Sequence, residues 1–504
     1  MDWRKNATFK RIIGLLACAA AVLMFLPAPA VAQTPKLKES LAPFPPPVAE
    51  GWKSFGISIK FSRDLTHMVY VAGRDKKFAV VRDGKIGPLF DAIGRDTPVF
   101  SPDGKHLAYQ AKKGSKWLII VDSKVQAAYA AVSRPLFSPD SARLFYVGKK
   151  EDEKQCLVVD GREAGCFNGV LPDSLRFSED SARWAAIVMK NKQQVVVVDG
   201  REGTAYEKVS TPLFSPDSRR VAYPASRAGK WLIVADGKEG EAWDSTGIYS
   251  FSPDSLHIYY TAQKGKKWRM ITDDKAGPAY DGVGIPSFSP DGKRMCHLAV
   301  QDKKWFMIVD GRAEAAWEEI ISMSYSPDSK QVAYNARKGK QWFMVVDGQA
   351  KEPYYDNVAV PFFSPDSRRL AFTARKDDKW FIVIDGRKET AYNLVSNPLF
   401  SPDGKHFCYN AQKEGIWLVV TDGKEGPAYA AVMNPVWSPD SLHLAYMAQQ
   451  LAGWRVCVDG QPASNVFDGF LKGTSLQFVA PNRLRALALK PGAKFINYEI
   501  EIGK

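Results

Sequence analysis

Histidine and cysteine are scarce in this chain, six of each in 504 residues. The sequence has no Cys-x-x-Cys, no zinc-ligand spacing and no His-Glu-x-x-His, so no metal and no cofactor is expected from local pattern. Neither a Gly-x-Ser-x-Gly elbow nor a phosphate-binding loop occurs, which removes the commonest nucleophile and nucleotide signatures. Beyond the first 32 residues no apolar run is long enough to cross a bilayer. What the chain does hold in quantity is one short pattern, copied many times.

Phe-Ser-Pro-Asp begins at Phe100, Phe137, Phe214, Phe251, Phe288, Phe363 and Phe400. Variants begin at Phe61, Phe177, Tyr325 and Trp437, with a degenerate copy at Phe478. From Phe177 to Trp437 every step is 37 residues except one of 38. A fixed period of this size marks a repeat array, in which each unit buries its apolar face only against its neighbours.

The unit beginning at Phe214 shows what one repeat builds. Pro212-Leu213-Phe214-Ser215 is a short apolar run ended by the turn residues Pro216-Asp217-Ser218. Arg220-Val221-Ala222-Tyr223 alternates with the period of a strand, and Trp231-Leu232-Ile233-Val234 is a second, wholly apolar strand. Asp236-Gly237 suits a tight hairpin whose two turn residues both need φ > 0. Ala242-Trp243 starts a last strand. Four short neighbouring strands per unit make one blade of an all-β propeller, with twelve blades in all. Tryptophans 117, 231, 268, 305, 342, 380, 417 and 454 open the third strand, where they are expected to pack sheet on sheet.

Phe-Ser-Pro-Asp-Gly-Lys followed by an apolar strand and a Val-Asp-Gly hairpin resembles the TolB-like propeller repeats, the "PD" variant of WD-type repeats. The resemblance spans residues 51–504 and implies the β-propeller fold of these periplasmic repeats; repeats of this kind serve many functions, so no partner is implied by it. The family's namesake carries an α/β domain ahead of its propeller. Here only a Pro-rich stretch, Pro43 to Pro47, occupies that place, so the role of that domain is not implied.

Twelve blades exceed the usual four to eight of one ring. The last unit lacks a fourth strand, and Trp52-Lys53-Ser54-Phe55 sits where a donated one would lie, closing exposed edges. The organisation expected is therefore a leader at 1–32, a linker at 33–50, and two six-bladed propellers at 51–274 and 275–504. In that scheme the strand near Ala279-Tyr280, after the unusual Asp273-Asp274 turn, closes the second ring. One twelve-bladed ring is the alternative.

Residues 1–32 read as a secretory signal: a basic front (Arg4, Lys5, Lys10, Arg11), an apolar core from Ile12 to Leu26, and Ala30-Val31-Ala32 for cleavage. A lipobox, Leu15-Leu16-Ala17-Cys18, is the alternative and would anchor the chain through Cys18. Either way the mature chain is expected in the periplasm or secreted, as a monomer. Cys156 and Cys166 flank the Asp160-Gly161 hairpin and would face each other across it, a disulfide geometry in an oxidising compartment. Cys296 and Cys408 share one repeat slot and read as small core residues.

The chain carries +14; the leader holds four basic residues and one acidic, so the remainder carries +11. Much of the excess lies between second and third strands, at Lys112, Lys113 and Lys116, at Lys190 and Lys192, at Lys264, Lys266 and Lys267, and at Arg337, Lys338 and Lys340. A propeller brings these turns to one face, a surface for an acidic envelope protein or an anionic envelope polymer rather than nucleic acid. Ordinary solvated turn residues are the competing reading.

His67, His106, His257, His406 and His443 share a slot that holds Arg in other units, which makes the slot structural. Two departures from the repeat, Asp173-Ser174-Leu175 with Glu179 and the tail at Asn482-Arg483, are where a convergent lyase or hydrolase site would lie. A non-catalytic binding scaffold is the reading preferred.

Overall fold

In this computed structural model residues 36–38, 52–54, 59–63, 66–470, 476–490 and 494–502 are described, and among them every regular element is a strand. The leader and Cys18 lie outside the described residues. Twelve antiparallel sheets follow one another along the chain, the first eleven each made from strands adjacent in sequence, as in the blades of a propeller.

Sheet five shows the common plan. Its first strand comes in two pieces, Lys208–Val209 and Leu213–Phe214, which pair with the second strand, Val221–Arg227. The third strand, Lys230–Ala235, pairs with the second, and the fourth begins at Lys238–Glu239 and returns at the Trp231–Trp243 bridge. Asp236 and Gly237 both have positive φ, as the hairpin demands. Successive side chains leave a strand on opposite faces. Tyr223, Ala225, Leu232 and Val234 meet sheet four, while Ala222 and Ile233 meet sheet six. Both faces are therefore covered. This explains the wholly apolar third strand, and it replaces the solvated face suggested by Arg220-Val221-Ala222-Tyr223: Val221 to Ser226 are all buried.

Two aromatics fill the space between sheets, and only one was expected: Trp342 lies in the cluster between sheets eight and nine, and Trp305, Trp417 and Trp454 pack against clusters shared with the next sheet. Most of the tryptophans opening third strands are only half-buried and flank the core clusters. Each third strand opens opposite an aromatic twelve or thirteen residues later: Trp117 with Tyr129, Trp380 with Tyr392, Trp417 with Tyr429. That second ring is buried and meets the next sheet edge-on, as in Tyr129–Tyr146, Tyr392–Tyr409 and Tyr429–Tyr446 at 6.1–6.3 Å.

The last sheet borrows a strand from the start of the chain, as expected, but from a different segment. Sheet twelve has three strands from the end of the chain, and its fourth is Lys36–Lys38, in register Lys36↔Glu501, Leu37↔Ile500, Lys38↔Glu499. Lys53–Ser54, expected to donate that strand, instead pairs with Gly73–Ala72 as the start of sheet one. A three-residue strand amid prolines has too short a pattern for periodicity to reveal. So the stretch 33–50 is not only a linker.

No strand is exchanged at the sixth unit either. Asp273-Asp274 is an ordinary two-residue turn with positive φ at both positions, and Lys275–Ala276 and Tyr280 stay paired with the third strand of sheet six. Sheets six and seven then meet as other neighbours do. Tyr259 lies against Phe288 with centroids 4.9 Å apart, and a Cβ on Gly292 would stand 3.0 Å from the Asp254 amide nitrogen.

Candidate functional site

Antiparallel alternation gives the array two edges of different character. One carries the turns between first and second strands and between third and fourth; the other carries the turns between second and third strands and the starts of the first.

On the first of these edges the repeat motif is a hydrogen-bonded machine for joining sheets. Ser215 Oγ donates to Asp217 Oδ1 and accepts from the Arg220 amide, closing the turn. The Asp217 amide donates to Ser255 Oγ of the next sheet at 2.8 Å. The same link runs from Asp103 to Ser141, Asp140 to Ser181, Asp180 to Ser218, Asp291 to Ser329, Asp328 to Ser367 and Asp403 to Ser441. The carboxyl groups of Asp103 and Asp403 are held down to about 2, chiefly by the serine hydroxyl within the turn and then by the amide two residues on.

The hairpin aspartates complete the joint. Asp236 Oδ1 accepts from the Val221 amide and Oδ2 from Arg220 Nε, both at 2.9 Å. Arg220 Nη1 reaches on to the Leu256 carbonyl at 2.7 Å, with its guanidinium 5.2 Å from the Phe251 ring centroid. Arg143, Arg183, Arg294 and Arg369 do likewise toward their own next sheets. Where the slot holds histidine, Nδ1 meets the same aspartate, as in His106–Asp122 and His443–Asp459 at 2.7 Å. Arginine in this slot is thus an inter-sheet fastening, whereas the histidine Nδ1 bond stays within its own sheet, and the five histidines sit on five different sheets.

The expected basic residues lie on the other edge, and the structure divides them. Lys116 pairs with Glu151, Lys190 with Glu202 at 2.6 Å, Lys267 with Asp281 at 2.6 Å, and Arg337 with Glu319 at 2.9 Å. Lys264 stands 3.7 Å from Glu241. Lys112, Lys113, Lys192, Lys266, Lys338 and Lys340 have no carboxylate partner among the described residues, and all but the half-buried Lys112 are exposed.

The acidic groups that neutralise this edge were not anticipated. Asp244 takes Lys230 Nζ from sheet five and the Gly265 amide from sheet six, so it bridges two sheets. Asp91 and Asp281 repeat the arrangement with Lys77 and Gly114, and with Lys267 and Asp302. Their carboxyl groups are lowered from the usual range, first by the lysine and then by the amide. The recurring aromatic–acid dipeptide, Phe90-Asp91, Trp243-Asp244 and Tyr280-Asp281, was the available signal.

Clefts open between neighbouring sheets. On the basic edge a space of about 470 Å³ lies between sheets two and three, bordered by Lys116, Lys150, Glu151 and Glu163. On the opposite edge one of about 500 Å³ lies between sheets ten and eleven, beside Lys424, His406, Trp437 and Leu442. Asp173-Ser174-Leu175 is a bulge in a first strand: Ser174 Oγ donates to the Leu171 carbonyl and accepts from the Ile187 amide. Arg483, at the turn after Ala480, pairs with Glu499 at 3.0 Å. Neither departure brings its groups together with the other.

Cys156 and Cys166 face each other across the third and fourth strands of sheet three and are joined in a disulfide, Cα–Cα 4.0 Å. Glu163 lies within reach of both sulfurs, but sulfurs bonded to each other are not metal ligands. Cys296, Cys408 and Cys457 are buried, and burial pushes the first two thiols up to about 12.

Sheet topology and repeat together define a β-propeller. No protein-family model matches the chain, and no curated protein matches it. Solved structures similar to it include TolB from Acinetobacter baumannii, at 14% identity over 51% of this chain and 77% of that one, TM-score 0.23. Another is the β-propeller domain of the Trilobed protease from Pyrococcus furiosus, described as having an open velcro topology, at 15% identity over 52% of this chain and 96% of that one, TM-score 0.25. Among the described residues no helix is long and apolar enough to cross a membrane.

Proposed function

We propose that this chain is an exported, non-catalytic β-propeller that acts as a TolB-like binding scaffold in the bacterial cell envelope, as a monomer. Its partner is an acidic envelope protein or an anionic envelope polymer, held at the edge that carries the turns between second and third strands. The observation that carries this reading is the set of unpartnered lysines there: Lys112, Lys113, Lys192, Lys266, Lys338 and Lys340. A charge already paired with a carboxylate gives little to a visitor, whereas unpaired lysines set the local field. Export is supported by the basic, apolar and small-residue order of residues 1–32.

The test is capture from envelope extract on the immobilised mature chain at about 50 mM and about 500 mM salt, where screening differs strongly. A partner retained at low salt, released at high salt, and lost when the six lysines become Gln is expected. Capture that ignores both salt and the six substitutions overturns the reading.

A further inference from the structure

The edge opposite the expected basic face holds a second set of cations, and these have no carboxylate partner among the described residues. The first residue after the turn between third and fourth strands is Lys85, Lys124, Arg162, Arg201 and Lys238 in sheets one to five. It is Lys275, Arg312, Arg387 and Lys424 in sheets six, seven, nine and ten, and Gln349 and Gln461 in sheets eight and eleven. Each stands across from the last residue of its third strand, as Ala235↔Lys238 and Val309↔Arg312, so all occupy one equivalent position. All nine cations are exposed, and none has a carboxylate within ion-pair distance among the described residues.

The fold explains why they stay free. The adjacent turn aspartate is turned inward, with one oxygen on a second-strand amide and the other on the Arg or His of that slot. The acidic residue next along the fourth strand is drawn to the other edge: Glu163 to Lys150, Glu202 to Lys190, Glu239 to Arg227, Glu425 to Lys413. The Ser-Pro-Asp carboxylates on the same edge are folded into their own turns, as Asp217 is onto Ser215 and the Arg219 amide. These carboxylates keep their charge, but among the described residues none lies within ion-pair distance of the nine exposed cations.

We infer that these cations form a binding track for a linear polyanion, nine of the twelve sheets each contributing one Lys or Arg to the anionic groups of the polymer. Repetition at a fixed place in nine sheets, seven of them consecutive, suits a repeating ligand: each further contact is intramolecular once the first has formed, so affinity climbs with chain length. A small anion gains nothing from the track. The inference does not rest on the function proposed above, because it concerns the opposite edge and needs no particular compartment.

The test is titration of the mature chain with fluorescently labelled long-chain polyphosphate, with tripolyphosphate as the short control. Two triple variants are compared, Arg201→Gln with Lys238→Gln and Lys275→Gln, and Lys113→Gln with Lys266→Gln and Lys338→Gln. Both remove three charges from exposed, unpartnered positions, so both keep the wild-type circular dichroism spectrum and melting midpoint. The first is expected to weaken polyphosphate binding roughly tenfold or more, and the second less than about threefold. A further triple, Arg312→Gln with Arg387→Gln and Lys424→Gln, repeats the loss from the other half of the track. Equal losses from both edges would show a response to net charge alone and overturn the track. Loss from the Lys113 set only would overturn it too while supporting the opposite face. Tripolyphosphate binding as tightly as the long chain sinks it as well.

Discussion

At the scale of single residues, the choice between serine and glycine after Ser-Pro-Asp is a choice about neighbours. Ser141, Ser181, Ser218, Ser255, Ser329, Ser367 and Ser441 all have φ between 61° and 69°, a region glycine enters without penalty. Serine is held there because its hydroxyl receives the amide of the preceding sheet. Ser218→Ala keeps the backbone strain and loses the bond, so it should cost about 1–3 kcal/mol in urea unfolding. Ser218→Gly loses the bond but relieves the strain, and should cost less than half as much. An alanine variant no worse than the glycine variant would refute this account. The same turns set the acid limit. Their aspartates are held below the unfolded value near 3.9, so their contribution is complete above that value and is lost as pH falls through the folded values, about 2 for Asp103 and Asp403. Thermal midpoints should therefore stay level down to about pH 5 and fall between about pH 4 and 2.

At the scale of elements, the sequence period located strands, hairpins and the tryptophans that pack between sheets, but missed the more deeply buried ring beside them. Spacing identified Trp380 because it repeats; burial selects Tyr392, twelve residues on, which is 2% exposed and meets Tyr409 of the next sheet. Tyr392→Ala should cost about 3–5 kcal/mol, and Trp380→Ala about half that or less, read as unfolding midpoints under urea. The reverse order would contradict this packing. The closing strand is the second element-scale lesson. Lys36–Lys38 pairs by register with residues 501 to 499 of the last strand. Deleting residues 36–38 should leave the edge of sheet twelve unpaired and raise hydrogen exchange in residues 494–501, with sheets four to eight unchanged. Unaltered exchange in 494–501 would mean that the strand does not seal the array.

At the scale of the molecule, contact between sheets six and seven matches contact elsewhere, and the closing strand joins the first described residues to the last sheet. Continuous stacking predicts one large ring in projection images rather than two separate discs at 51–274 and 275–504. Two discs of six lobes would disprove it. The two edges differ in a way composition hides. Both are rich in Lys and Arg, yet one binds much of its charge to its own carboxylates and the other leaves its fourth-strand cations bare.

The sequence by itself determined the all-β blade, the number of units, the hairpin positions and the need for a borrowed strand. Each of these is a local matter: turn residues with positive φ and apolar residues at period two act over a few neighbouring positions. The tertiary structure alone decided which segment is borrowed, which ring bridges neighbouring sheets, and which cations are already paired. Those outcomes depend on atoms from units about 37 residues apart coming within hydrogen-bond distance. Repeat spacing shows that equivalent residues recur, but only stacked sheets show what each copy meets.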